Sequence, residues 1–244
     1  MTKLLSLQNV SVGYNQKVVL KDVNLDVYEH DFIGIIGPNG GGKTTLVKAI
    51  LGLVPLISGT IEYNLKSKNI GYLPQHFNFD KQFPIRVIDV VLSGLFDSSS
   101  IIIKFSKQQK KQAKEILEKM GILDLSNSLI SEISGGQMQR VLLSRAMISN
   151  PEILILDEPT SYIDSNFEKE LHETLKHLNE TMTILMVSHD MGTISYYVKS
   201  IACVNKTLHY HKSNVITQEQ LQQYNCPIQL ITHGDVPHTV LHNH

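Results

Sequence analysis

One short stretch constrains this chain more than any other: Gly37-Pro38-Asn39-Gly40-Gly41-Gly42-Lys43-Thr44-Thr45. It follows the apolar run Phe32-Ile33-Gly34-Ile35-Ile36 and precedes Leu46-Val47-Lys48-Ala49-Ile50-Leu51, whose apolar spacing is helical. The stretch therefore reads as the loop between a buried strand and a helix. It satisfies G-x-x-x-x-G-K-[ST] at every position. Backbone N–H groups wrap a phosphate only where the chain curls tightly, which costs least without a Cβ. Gly37, Gly40, Gly41 and Gly42 supply that freedom, and the helix that follows aims its N-terminal partial charge at the same anion. Lys43 is expected to reach the β- and γ-phosphates and the Thr44 hydroxyl to sit on Mg²⁺. The loop predicts binding of a nucleoside triphosphate with Mg²⁺.

A chain of 244 residues with 42% apolar and 18% charged residues can bury one large core, with room for a smaller lobe. A net charge of −1 gives no general basic field for nucleic acid. No apolar run approaches the ~20 residues of a spanning helix, and Met1-Thr2-Lys3-Leu4 opens no signal-peptide pattern. The two cysteines, Cys203 and Cys226, cannot form a disulfide framework and suit a reducing cytosol. A membrane role would then require a partner to hold the chain there.

Residues 4–12 and 23–27 alternate as half-buried antiparallel strands do, with Tyr14 in the turn between them. Residues 58–63 begin another strand, and 70–74 form a short one that stops at Pro74. From 76 to about 131 the spacing turns helical: Val87, Val90, Val91 and Leu95 recur on one face. Residues 107–120 form a lysine-rich amphipathic helix carrying Ala113, Ile116, Leu117 and Met120 on its apolar side. This segment reads as a helical subdomain, about 76–135, inserted into an α/β core. The core resumes with helix 137–149, strand 153–156, helix 166–178, strand 183–187, a helix through Tyr197 and strand 201–204. Such alternation predicts a mainly parallel sheet. From Lys206 the pattern weakens into a histidine-bearing tail.

Ile153-Leu154-Ile155-Leu156-Asp157-Glu158-Pro159 carries the second signal. Four apolar residues in a row suit a central strand buried on both faces, and open α/β sheets place ligands at the C-terminal ends of such strands. Asp157 is expected to hold Mg²⁺ opposite Thr44, and Glu158 to polarise the water that attacks the γ-phosphate. Ser134-Gly135-Gly136-Gln137 is a further loop-to-helix junction able to present an anion site.

With these three motifs in this order, the chain resembles the nucleotide-binding subunits of ATP-binding-cassette proteins across essentially residues 1–210. The resemblance implies a phosphate-loop core with a mainly parallel sheet, an antiparallel β subdomain on the N-terminal side and an inserted helical subdomain. It also implies roles residue by residue. Tyr14 matches the aromatic that stacks on adenine, and Gln75 the glutamine that senses Mg²⁺ and the γ-phosphate. Ser134, Gly135, Gly136 and Gln137 match the signature that contacts the γ-phosphate held by the other protomer. Asp164 matches the aspartate coupling the two sites, and His189 the switch histidine. Ile133 stands where leucine is usual, and Tyr162-Ile163 where a small residue and leucine are. The implied machine is a homodimeric ATP-driven clamp with two ATPs sandwiched between protomers.

Residues 76–91 are similar to the corresponding stretch of metal-importer cassettes. Phe77, Phe79 and Phe83 either form the groove receiving a membrane subunit's coupling helix or pack the lobe. Residues 226–238 are similar to the C-terminal ends of zinc, manganese and iron importer ATPases. His209, His211, His233, His238, His242 and His244 crowd the end of the chain, where imidazoles suit divalent ions. The resemblance implies an ATPase at the cytoplasmic side of the cell membrane. It would drive import of zinc or manganese through a membrane permease supplied by an extracytoplasmic metal-binding protein. The alternatives are the ATPase of a lipid, lipoprotein or cofactor transporter, or a DNA-repair or structural-maintenance ATPase. The last class requires a long coiled coil or a basic duplex-binding surface, which this sequence lacks.

Overall fold

The computed structural model describes residues 1–15, 17–66, 69–75, 83–96, 105–159, 165–189, 194–215, 229–233 and 236–240. Strands β1 (Lys3–Tyr14) and β2 (Lys17–Tyr28) pair antiparallel. Strand β3 (Phe32–Ile36) then enters the core and is followed by α1 (Lys43–Ile50). Strand β4 (Leu56–Tyr63) returns to pair antiparallel with β1, completing a three-stranded sheet in the order β2-β1-β4.

The remaining elements build a second, larger sheet. They are β5 (Ile70–Leu73), helices α2 (Val87–Leu92), α3 (Lys107–Lys119) and α4 (Gly135–Met147), β6 (Ile153–Asp157), α5 (Ser165–Leu178) and β7 (Thr183–Val187). Then come β8 (Ser200–Asn205) and β9 (Thr207–His211). The sheet runs β5-β6-β7-β3-β8-β9 and is parallel up to β8, where β9 turns back antiparallel. The mostly parallel core expected from the βα alternation is thus present. Two further strands, β10 (Gln229–His233) and β11 (Val236–Val240), form their own antiparallel hairpin.

Every residue of β3, β6 and β7 is buried. Their period-two alternation feeds two different apolar layers. Phe32, Ile36, Leu154, Leu156, Ile184 and Met186 face a cluster shared with α2, α3, α4 and α5. Ile33, Ile35, Ile153, Ile155, Leu185 and Val187 face the other, shared with α1 and the three-stranded sheet. Full burial of each such side chain contributes about 1.5–3 kcal/mol, so this doubly covered centre is the rigid part of the molecule. Strand ends that carry chemistry are fixed to it.

Two details differ from the sequence reading. Thr207–His211, taken there as the start of a tail, is the edge strand of the main sheet. Leu208 and Tyr210 pack on the α1-side cluster, while polar partners alternate with them. Helix α4 also starts two residues earlier than its apolar spacing suggested. Ser134 caps it: its Oγ accepts from the Gln137 N–H while its own N–H donates to Gln137 Oε1. The apolar face of α3 is as expected, with Ala113, Ile116, Leu117 and Met120 buried. The helix expected to run through Tyr197 falls partly outside the described residues.

Candidate functional site

Three parallel strands bring the separated motifs to one edge. Ile35 pairs with Val187 and Val187 with Asp157, so the ends of β3, β7 and β6 lie in register. Gly37 follows β3, His189 follows β7 by two residues, and Glu158 follows β6 directly. Gln75 stands just beyond β5, the next strand in the sheet.

The loop after β3 is held by its glycines. A Cβ at Gly37, whose φ is +151°, would lie 2.0 Å from the Val204 carbonyl oxygen. At Gly42, with φ +107°, it would lie 2.5 Å from Leu20 Cδ2. Any larger residue would lift the loop off β8 or off β2. The loop is further pinned by the Lys206 N–H, which donates to the Gly41 carbonyl at 2.9 Å. Lys43, only 6% exposed, extends Nζ along the loop and donates to the carbonyls of Gly37 and Pro38 at 2.9 and 3.1 Å.

A cavity of about 800 Å³ opens over this loop, lined by Val19, Asn39, Gly40, Gly42, Lys43, Thr44, Thr45, Gln75, Glu158 and His189. The expected phosphate-loop, Gln75, Glu158 and His189 positions therefore meet around one space. Gly37, Pro38 and Gly41 do not line it; Gly37 and Gly41 lie against the Val204 carbonyl of β8. Val19 was not found from sequence. The only signal was its place on β2, whose next residue, Leu20, packs beside Gly42.

Glu158 is the most constrained acid at the cavity. Its φ of +50° is left-handed, a conformation that costs a non-glycine residue on the order of 1–3 kcal/mol. Its N–H donates to the Val187 carbonyl at 3.1 Å. Its Oε2 accepts from Gln75 Nε2 at 2.6 Å and lies 3.6 Å from His189 Nδ1.

Asp157 is 1% exposed, and burial raises its carboxyl above the ordinary range. A hydrogen bond from Thr44 and the charges of Lys43 and Lys48 oppose that rise, while Glu158 adds to it. Burial also pushes the Tyr72 phenol up to about 12, with the Asp157 charge contributing. Asp157 Oδ1 is buried without a hydrogen-bond partner among the described residues. An uncompensated carboxylate oxygen beside a threonine hydroxyl is an oxygen donor set that fits Mg²⁺. The glycine loop, with its backbone N–H groups and Lys43, fits a polyphosphate.

Other expected site residues lie elsewhere. Tyr14 ends β1, is 43% exposed, and does not line the cavity. Ser134, Gly135, Gly136 and Gln137 cap α4 away from the cavity, with Ser134 and Gly135 exposed. A Cβ at Gly135 would meet no atom within 4 Å, so this junction is open to an incoming surface. Asp164 lies outside the described residues, as do Phe77 and Phe79, whereas Phe83 is 65% exposed. His209 and His211 stand two apart on β9, and the side chains of the later histidines are outside the described set. Among the described residues, no group of three or more His, Cys, Asp or Glu is gathered to hold a metal.

This fold and this cavity define a phosphate-loop nucleoside triphosphatase. Residues 20–161 match the ABC transporter family, and the chain belongs to it. It is thus an ATP-binding, ATP-hydrolysing transporter subunit.

Among its relatives, the probable metal transport system ATP-binding protein of Chlamydia trachomatis is 41% identical over 85% of this chain and 91% of its own. The manganese transport system ATP-binding protein MntB of Bacillus subtilis is 41% identical over 89% and 90%. The zinc uptake system ATP-binding protein ZurA of Listeria innocua is 37% identical over 85% of each. Among solved structures, an inward-facing transporter assigned to the metal-chelate ABC type is 27% identical. It has a TM-score of 0.84 over 98% of this chain and 96% of that one. A dimeric ATP-binding cassette in a post-hydrolysis state, bound to ADP and Pi, is 27% identical with a TM-score of 0.70 over 85% and 98%. No helix among the described residues is long and apolar enough to cross a membrane.

Proposed function

We propose that this chain energises import of a divalent metal ion, zinc or manganese foremost. It would work as a homodimer on the cytoplasmic side of a membrane permease, with an extracytoplasmic metal-binding protein delivering the ion. The metal assignment draws on relatives named for manganese, zinc and metal transport. The exposed Phe83 and Phe96 on the helical side supply apolar surface for the permease.

Hydrolysis is carried by one observation: Glu158 is held by Gln75 and close to His189 at the mouth of the phosphate-loop cavity. In this account Lys43 and the backbone N–H groups of the loop from Asn39 to Thr45 orient the triphosphate. Glu158 takes a proton from the attacking water as its oxygen bonds to the γ-phosphorus. The bond to the β,γ-bridging oxygen breaks, and ADP and phosphate leave. Gln75 and His189 orient Glu158 and the γ-phosphate. Thr44 and Asp157 would hold Mg²⁺, which when bound neutralises phosphate charge. Ser134 to Gln137, of which Ser134 and Gly135 are exposed and none lines this chain's own cavity, would complete the site of the second copy, with Asp164 at the seam between the two. Tyr14 would stack on adenine where its exposed ring borders the β1–β2 turn.

The test is ATP-dependent uptake by the chain reconstituted with its permease in vesicles, offered zinc, manganese and iron in parallel. Accumulation of zinc or manganese, lost in Lys43→Ala, is expected. ATP turnover without accumulation of any divalent metal would overturn the metal assignment.

A further inference from the structure

Gln139 lies one turn into α4, the helix that Ser134 caps, and its Nε2 donates to the Pro159 carbonyl at 2.7 Å. Pro159 directly follows Glu158. The bond therefore joins the helix bearing the exposed Ser134–Gly135 end to the peptide beside the candidate base.

The need for such a tie follows from the backbone. Glu158 is left-handed, at φ +50°, and such a conformation persists only where the surroundings impose it. On the N-terminal side, the Glu158 N–H is fixed to the Val187 carbonyl of β7. Proline has no N–H with which to fix the next link. The Pro159 carbonyl is the backbone group that leads out of this pair, and Gln139 donates to it. Without that hydrogen bond the chain leaving Glu158 would be held less firmly in the conformation that keeps the carboxylate beside Gln75 and His189.

We propose that Gln139 is a positioning residue for Glu158. It holds the Glu158–Pro159 backbone so that the carboxylate faces the cavity, and it makes that placement depend on where α4 sits. Docking of the α4 N-terminus on a second copy's nucleotide would thereby be felt at this protomer's own base. The inference rests on the proposed role of Glu158 and extends it.

The experiment compares Gln139→Met and Gln139→Glu, which keep the side-chain length but remove the donor, with Gln139→Lys, which restores one. Losing one positioned hydrogen bond should lower kcat roughly tenfold in the first two. The KM for ATP, fluorescent-nucleotide affinity and melting temperature should stay near wild type, and Gln139→Lys should recover most of the rate. Unchanged kcat in both donor-lacking variants would overturn the proposal. So would a loss shared equally by binding, melting and Gln139→Lys, since that is the pattern of a general packing defect. A Glu158→Gln control separates the two ideas. If it turns over normally, the base assignment fails; if it is inactive while the Gln139 variants are normal, only the tie fails.

Discussion

The Gln75 side-chain amide donates a 2.6 Å hydrogen bond to Glu158 Oε2, joining the end of one sheet strand to the acid beyond its neighbour. The same oxygen lies 3.6 Å from His189 Nδ1. Two side chains from different strand ends thus address a single carboxylate oxygen. Gln75→Leu removes the amide donor without removing the bulk. We expect kcat to fall roughly tenfold or more, with ATP affinity within about threefold of wild type. Steady-state ATPase assays alongside nucleotide titration would show whether the loss is confined to turnover.

Gly37 sits against β8 so closely that a methyl group there would meet the Val204 carbonyl at 2.0 Å. The obstacle is backbone, and φ is +151°, so neither partner can yield cheaply. Gly37→Ala should abolish ATP binding and lower the melting temperature by about 6 °C or more. Calorimetry with and without nucleotide checks both effects. A variant that melts normally and binds ATP would show the loop to be more pliant than its contacts require.

In the proposed account, Asp157 serves Mg²⁺ binding at the expense of stability. Its carboxylate is buried, and one oxygen has no hydrogen-bond partner among the described residues. Asp157→Asn removes the charge while nearly keeping the shape. The Mg²⁺-free variant should melt about 2–4 °C higher than wild type. Magnesium titration of its ATPase activity should show greatly weakened dependence on the ion. A lower melting temperature would contradict the idea that the buried charge is a cost.

Asp26 gives the clearest pH dependence. The Ser6 hydroxyl, at 2.6 Å, and Lys3, at 2.9 Å, hold its carboxyl below the ordinary value of 3.8. A carboxyl with a depressed folded value binds fewer protons when folded than when unfolded. Its stabilisation is therefore complete above the ordinary value and is lost as pH falls through the folded one. Solvent screening keeps the effect modest, since the side chain is 41% exposed. Asp26→Asn should melt below wild type at pH 7, and the two curves should converge as pH falls below about 3.8. Melting curves at pH 7, 5, 4 and 3 would show whether they do.

What was legible in the sequence was local or periodic. Gly37 to Thr45 announced its loop because its glycines act through their own backbone and Lys43 and Thr44 stand at fixed positions beside them. Asp157 and Glu158 stood out because they end an apolar run that fits a central strand. Relations between distant residues were not legible. The bond from Gln139 to the Pro159 carbonyl depends on how α4 crosses the end of β6, which no spacing rule encodes. Strand β9 was hidden because His209 and His211 alternate with Leu208 and Tyr210, which reads as a polar tail until β8 is there to pair with it. Val19 reached the cavity through strand geometry alone.

The central claim is that Glu158 is the base in a site completed by a second copy. Glu158→Gln tests both halves, by ATPase rate and by size-exclusion chromatography with and without Mg-ATP. The account predicts a rate lowered by about 10²–10⁴-fold, unimpaired ATP binding, and a shift from monomer to dimer when ATP is added. Near-normal turnover by the purified variant would contradict it.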